Sequence, residues 1–115
     1  MARAFAKVDT AGSLFMVAVV AVDKLKETAE GMPPERAFDR MSGEALSVVN
    51  LVETFEGRAQ ILKITVPESQ LPKGMAPGSV VRPVGLVASP WGMPGMGGQV
   101  NVGLSYRAEG LELAK

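Results

Sequence analysis

Apolar residues fall in five blocks along this 115-residue chain, and the blocks differ in period. Residues 13–22 are nearly continuous and valine-rich, which predicts a strand buried on both faces or at a barrel seam. Residues 45–55, "ALSVVNLVETF", carry apolar side chains at 46, 48, 49, 51, 52 and 55. That spacing fits a helix about as well as a strand. The adjacent valines and the turn at Glu56-Gly57 favour a strand. Residues 59–66, "AQILKITV", put Leu62, Ile64 and Val66 on one face and Lys63 and Thr65 on the other, with Pro67 as the stop. Residues 79–88, "SVVRPVGLVA", place Val80, Val84, Leu86 and Ala88 on one alternation together with Arg82. Pro83 cannot donate to a ladder, so an edge or a bulge is expected there. Residues 99–106, "QVNVGLSY", show the cleanest period of two, with Val100, Val102, Leu104 and Tyr106 sharing a face. Tyr106 is therefore expected in the core, and Gly103 marks a bend or a close approach of another chain segment.

The connections are read from their turn residues. Glu56-Gly57-Arg58 makes a short hairpin between the second and third segments. The linker 23–44 contains "PPERAFDRM", which predicts a short helix opened by proline, with Phe38 and Met41 on its inner side. "PESQLPKGMAPG" is a long proline-punctuated turn without room for a full helix. Residues 90–98, "PWGMPGMGG", are expected to be a loop, and they hold the single tryptophan, Trp91.

Composition narrows the function more by what it removes. The chain has no cysteine and no histidine, so disulfides, thiolate metal sites and the commonest general base are all absent. No metal or cofactor is expected. Phosphate-loop signatures are missing, and Ser89 and Ser105 have no lysine neighbour that would make a nucleophile. The chain is expected not to be an enzyme. Twelve basic and twelve acidic residues cancel, so any basic surface must be a local patch. The run "LFMVAVVAV" at 14–22 is about half of the ~20 residues a spanning helix needs. Arg3 and Lys7 precede it as in a signal peptide, but Asp9 interrupts them and no small-residue cleavage site follows. The expectation is one domain over residues 1–115, cytoplasmic, with no membrane contact.

Five strands with a long first connection, a tight second hairpin and a glycine-rich fourth connection suit a five-stranded Greek-key barrel. In this layout, with "RAQILKITVP" third and "PGSVVRPVGLVASPW" fourth, the chain resembles the OB-fold single-stranded-DNA-binding proteins of phages and plasmids. It lacks the acidic tail of bacterial housekeeping members. The resemblance implies an all-β, five-stranded OB-like barrel with a short helix in the first long loop. It also implies non-catalytic binding of single-stranded DNA, or RNA, in replication, recombination or transfer. Such binding uses aromatic faces for bases and Lys/Arg for phosphates. The residues it points to are Trp91, Phe55, Arg58, Lys63, Arg82 and Arg107. Trp91 either stacks on a base, with Met93 and Met96 as padding, or folds back to cap the barrel. Unpaired strand edges make a homodimer the expected assembly. The alternative is a small β-domain that binds another protein through strand edges and the apolar Gly/Met loop.

Overall fold

The computed structural model describes residues 5–26 and 31–114, with the backbone alone at 93 and 94. Its centre is the hairpin of β5 (Leu46–Phe55) and β6 (Arg58–Pro67), paired without a break from Leu46↔Pro67 to Phe55↔Arg58. β2 (Leu14–Asp23) lies antiparallel along the other side of β5, with bulges between Val17 and Val19 and between Val19 and Val22. β9 (Val100–Arg107) lies parallel to β6, but only through Ile64↔Tyr106 and Thr65↔Arg107. β8 (Val87–Pro94) pairs with the whole of β9, and the short β1 (Ala6–Lys7) adds to the start of β8. On the opposite flank β7 (Val80–Val84) pairs with β2, and β10 (Gly110–Leu113) pairs with β7.

The order β1-β8-β9-β6-β5-β2-β7-β10 dictates a curl. β7 and β8 lie on opposite flanks of the sheet, yet only Gly85 and Leu86 separate them. β9 and β10 do the same with only Ala108 and Glu109 between them. The flanks must therefore approach one another. The concave face packs Phe15, Val17, Val49, Leu51, Leu62, Ile64, Val66, Val81, Leu86, Ala108 and Leu111 into one core.

The all-β expectation holds, but its detail changes. Among the described residues the main sheet has eight strands rather than five, because the fourth segment breaks at a two-residue bend and β1 and β10 lie outside the five segments. The helix expected in the first long loop does not form. Glu35–Arg36 is instead a strand, β4, paired with β3 (Leu25–Lys26). The backbone of Ala37 then bonds to Lys24 and Leu46, and Asp39 makes an Asx turn to the Met41 N–H. Local sheet pairing and this turn chemistry outweigh the proline-started helix signal. Phe38 and Met41 consequently face solvent, Met41 at 95% exposure.

Three burial expectations also change. β2 is not covered on both sides: Phe15 and Val17 are buried, while Leu14, Met16, Val19, Val20 and Val22 are exposed. In β7 the inward residues are Val81 and Pro83, and Arg82 and Val84 face out. The alternation flips at Gly85, whose positive φ of 64° supplies the bend, so that Leu86 and Ala88 point inward. Finally, 90–94 is not loop but the outer half of β8. It forms an arm with β9 that runs beyond the core, so Val100, Val102 and Leu104 are exposed despite their alternation.

One substitution pair tests the inward face. Ile64→Ala should lower the unfolding free energy by about 2–5 kcal/mol. Ile61→Ala, on the same strand but 66% exposed, should change it by no more than about 0.5 kcal/mol. Urea denaturation of both variants reads the difference, and equal losses would contradict the assigned register.

Candidate nucleic-acid interface

Parallel pairing of β6 and β9 is brief, and its brevity creates the principal groove. Past Ile64↔Tyr106, β9 leaves with β8 as the arm, while β6 continues with β5. The cleft at the divergence has a volume of about 500 Å³ and is lined among others by Phe5, Lys24, Ser89, Ser105, Tyr106 and Arg107. A smaller hollow of about 240 Å³ shares Lys24, Thr65, Ser105 and Tyr106, and adds Lys63 and Leu104. Together they form one path that carries three cations and two aromatic rings.

Each side chain has a local reason for its place. Lys63 and Thr65 face outward because Leu62, Ile64 and Val66 face the core. Arg107 faces outward opposite Thr65 for the same reason. Tyr106 is half-buried, packed against the core on one side and lining the groove on the other. Lys24 follows β2 and is held by backbone bonds from its N–H to the Leu46 carbonyl (3.0 Å) and from the Ala37 N–H to its own carbonyl (2.7 Å).

Electrostatics distinguishes the cations. Arg107 Nη2 donates to Asp39 Oδ2. The Met41 N–H foremost, opposed by burial and then aided by the Ser42 N–H and the Arg107 guanidinium, holds the Asp39 carboxyl below its usual range. Lys24 and Lys63 have no carboxylate within ion-pair distance among the described residues. Among the described residues no three acidic side chains gather closely enough to hold a metal ion, and no helix is long and apolar enough to cross a membrane.

The six residues singled out from sequence are not all brought together. Lys63 and Arg107 share the groove path. Trp91 stands on the arm, directly opposite Gly103. Its indole lies on that glycine so closely that a Cβ there would meet Cζ2 at 2.5 Å and Cε2 at 2.7 Å. Trp91 is thus neither a loop residue nor a barrel cap: it covers a glycine gap across the hairpin and stays 39% exposed. Met96 is too exposed to pad it, and the Met93 side chain lies outside the described residues. Phe55 and Arg58 flank the β5–β6 turn and line a separate hollow with Glu53 and Gln60. Their alternation is that of Leu51 and Leu62, so they stand on the opposite face from Lys63. Arg82 faces outward on the β7 flank, opposite Glu112.

Sequence reading missed Lys24, Phe5 and the groove role of Tyr106. The alternation of Tyr106 correctly signalled core contact and concealed the half of the ring that faces the groove. Phe5 and Lys24 reach the groove through tertiary pairing that no local pattern announces.

No family model matches the chain, and no curated protein matches it by sequence. A search of solved structures finds it similar to the mitochondrial single-stranded DNA binding protein Rim1 of S. cerevisiae, with a TM-score of 0.61 and 14% sequence identity. The likeness covers 100% of this chain and 98% of that one. It establishes the all-β, OB-like fold.

Gly103→Ala tests the geometry of the arm. The added methyl should push the indole into solvent and shift Trp91 emission to longer wavelength. Trp91→Ala should cost about 1 kcal/mol or less of unfolding free energy, the scale of a cross-strand pair. A loss of about 3–5 kcal/mol, the scale of a deleted core aromatic, would instead make Trp91 part of the core.

Proposed function

We propose that the protein is a non-catalytic single-stranded-DNA-binding protein whose strand follows the groove between β6 and the β8–β9 arm. The carrying observation is the convergence of Lys24, Lys63 and Arg107 beside Tyr106, on a fold similar to that of a single-stranded DNA binding protein. Lysine and arginine neutralise phosphates, and aromatic faces stack unpaired bases whatever their sequence. Trp91 extends the stacking surface along the arm. Phe55 and Arg58 prolong the path only if the strand crosses the hairpin tip, and Arg82 lies off it. A phage or plasmid role in replication, recombination or transfer, in the cytoplasm, rests on the sequence layout alone.

Titration with oligothymidylate should quench Trp91 emission, with an affinity that falls as salt rises. Lys24→Glu and Lys63→Glu should each weaken binding and flatten the log–log salt slope by about one unit. Flow-through on single-stranded-DNA cellulose at low salt would reject this reading. It would favour the protein-interaction module instead, for which the exposed Val100, Val102 and Leu104 of the arm speak.

The assembly proposed is a homodimer. Beyond Val17, β2 has no partner on its β7 side among the described residues. Neither charge nor proline blocks that edge from Ala18 to Val22. Sedimentation should give a dimer at micromolar concentration, and Val20→Lys, a charge on this edge, should give a monomer. A wild-type monomer at high micromolar concentration would remove the claim.

A further inference from the structure

We propose that Asp39 is a built-in competitor for the nucleic acid: its turn closes on Arg107 and occupies that cation until a DNA phosphate displaces it. The inference rests on the single-stranded-DNA reading and deepens it.

Asp39 divides its carboxylate between two tasks. Oδ1 accepts the N–H groups of Met41 (2.7 Å) and Ser42 (3.4 Å), which shapes the turn. Oδ2 accepts from Arg107 Nη2, 68 residues away in sequence. One oxygen thus builds the local fold and the other reaches across to the groove. An anionic oxygen on a guanidinium is also the contact a DNA phosphate would make.

Exposure gives the pair a direction. The Asp39 side chain is only 9% exposed, whereas that of Arg107 is 54% exposed. The carboxylate is covered, but the guanidinium has five N–H donors and presents much of itself to solvent. A phosphate can therefore approach Arg107 from the open side while Asp39 is still bound, as exchange of one anion for another requires.

The turn is also built to let go. Its backbone bonds run within itself, from Asp39 N–H to the Glu44 carbonyl and from Gly43 N–H to the Asp39 carbonyl. None of residues 39–44 belongs to the hydrophobic core. Arg40 and Met41 face solvent. Release of Arg107 thus exposes little apolar surface, and the ion pair itself, with one partner half in water, is of modest strength.

The variant that separates the two tasks is Asp39→Asn. Its Oδ1 still accepts the two turn N–H groups, and its neutral amide takes the countercharge away from Arg107, which stays cationic. Asp39→Ser, whose hydroxyl caps the same kind of turn, repeats the test should the first variant misfold. Affinity for labelled oligothymidylate is measured from about 50 to 300 mM NaCl. Asp39→Asn should bind about 3–10-fold more tightly at the low-salt end, and its log–log salt slope should steepen by about one unit as Arg107 becomes a free phosphate ligand. In the Arg107→Gln background the same change should gain less than about two-fold, the residue of general charge removal. Unchanged or weaker binding by Asp39→Asn, or an equal gain in both backgrounds, would overturn the competitor role and leave Asp39 as a staple. Absence of binding by wild type and variants alike would reject the DNA reading itself and the inference with it.

Discussion

The two-residue turn Glu56-Gly57 sets the register on which the remaining structure depends. Both residues have positive φ, 49° and 78°, so the turn twists in the same sense as the strands it joins. It fixes Phe55 opposite Arg58, and every pair below follows to Leu46 opposite Pro67. A slip of one residue would turn Leu62, Ile64 and Val66 out of the core and Lys63 and Thr65 into it. The same register decides the groove: Tyr106 and Arg107 take their inward and outward positions from Ile64 and Thr65.

This part of the fold was legible because its determinants are local. A strict alternation at 62–66, a stop at Pro67 and an Glu-Gly turn need no tertiary information. Elsewhere the local signal was true and its interpretation failed. Val100, Val102 and Leu104 do alternate as a strand, but the strand outruns the core, and no periodicity reveals where a core ends. Arg82 fell on the apolar alternation only because the reading carried one parity through Gly85, where the positive φ reverses it. The helix expected near Pro33-Pro34 lost to pairing between Glu35–Arg36 and Leu25–Lys26, a contact whose two halves are separated in sequence. The candidate site was legible only in Lys63 and Arg107. Lys24 and Phe5 join them through the curl of the sheet.

The arm shows how a strand can be written in residues that usually break strands. Pro90 and Pro94 have the same parity, so both missing N–H groups fall on the same side, and beyond Ala88 that side of β8 has no partner among the described residues. An edge strand accepts proline there without losing a ladder bond. Gly92 faces Val102, and Gly103 is roofed by Trp91, so each glycine gap has a side chain across from it. The tryptophan is therefore part of what makes the arm a hairpin, while part of its ring stays exposed.

Formal neutrality and a cationic groove are compatible because the acids are unevenly spent. Arg36 is held between Asp23 at 3.3 Å and Glu68 at 3.4 Å, and Lys26 pairs with Glu35 at 2.8 Å, so these cations serve the small second sheet and its attachment. Glu53 is taken up by Ser13 and Gln60 near the hairpin tip. What remains beside the groove is Lys24, Lys63 and an Arg107 that shares its charge with Asp39. Asp23, next to Lys24 in the chain, is likewise engaged, by Arg36, and interactions of exposed charges fade beyond a Debye length of about 8–10 Å. Among the described residues Asp39 is the one carboxylate paired with any of those three cations, so the position of its turn bears directly on the charge the groove presents.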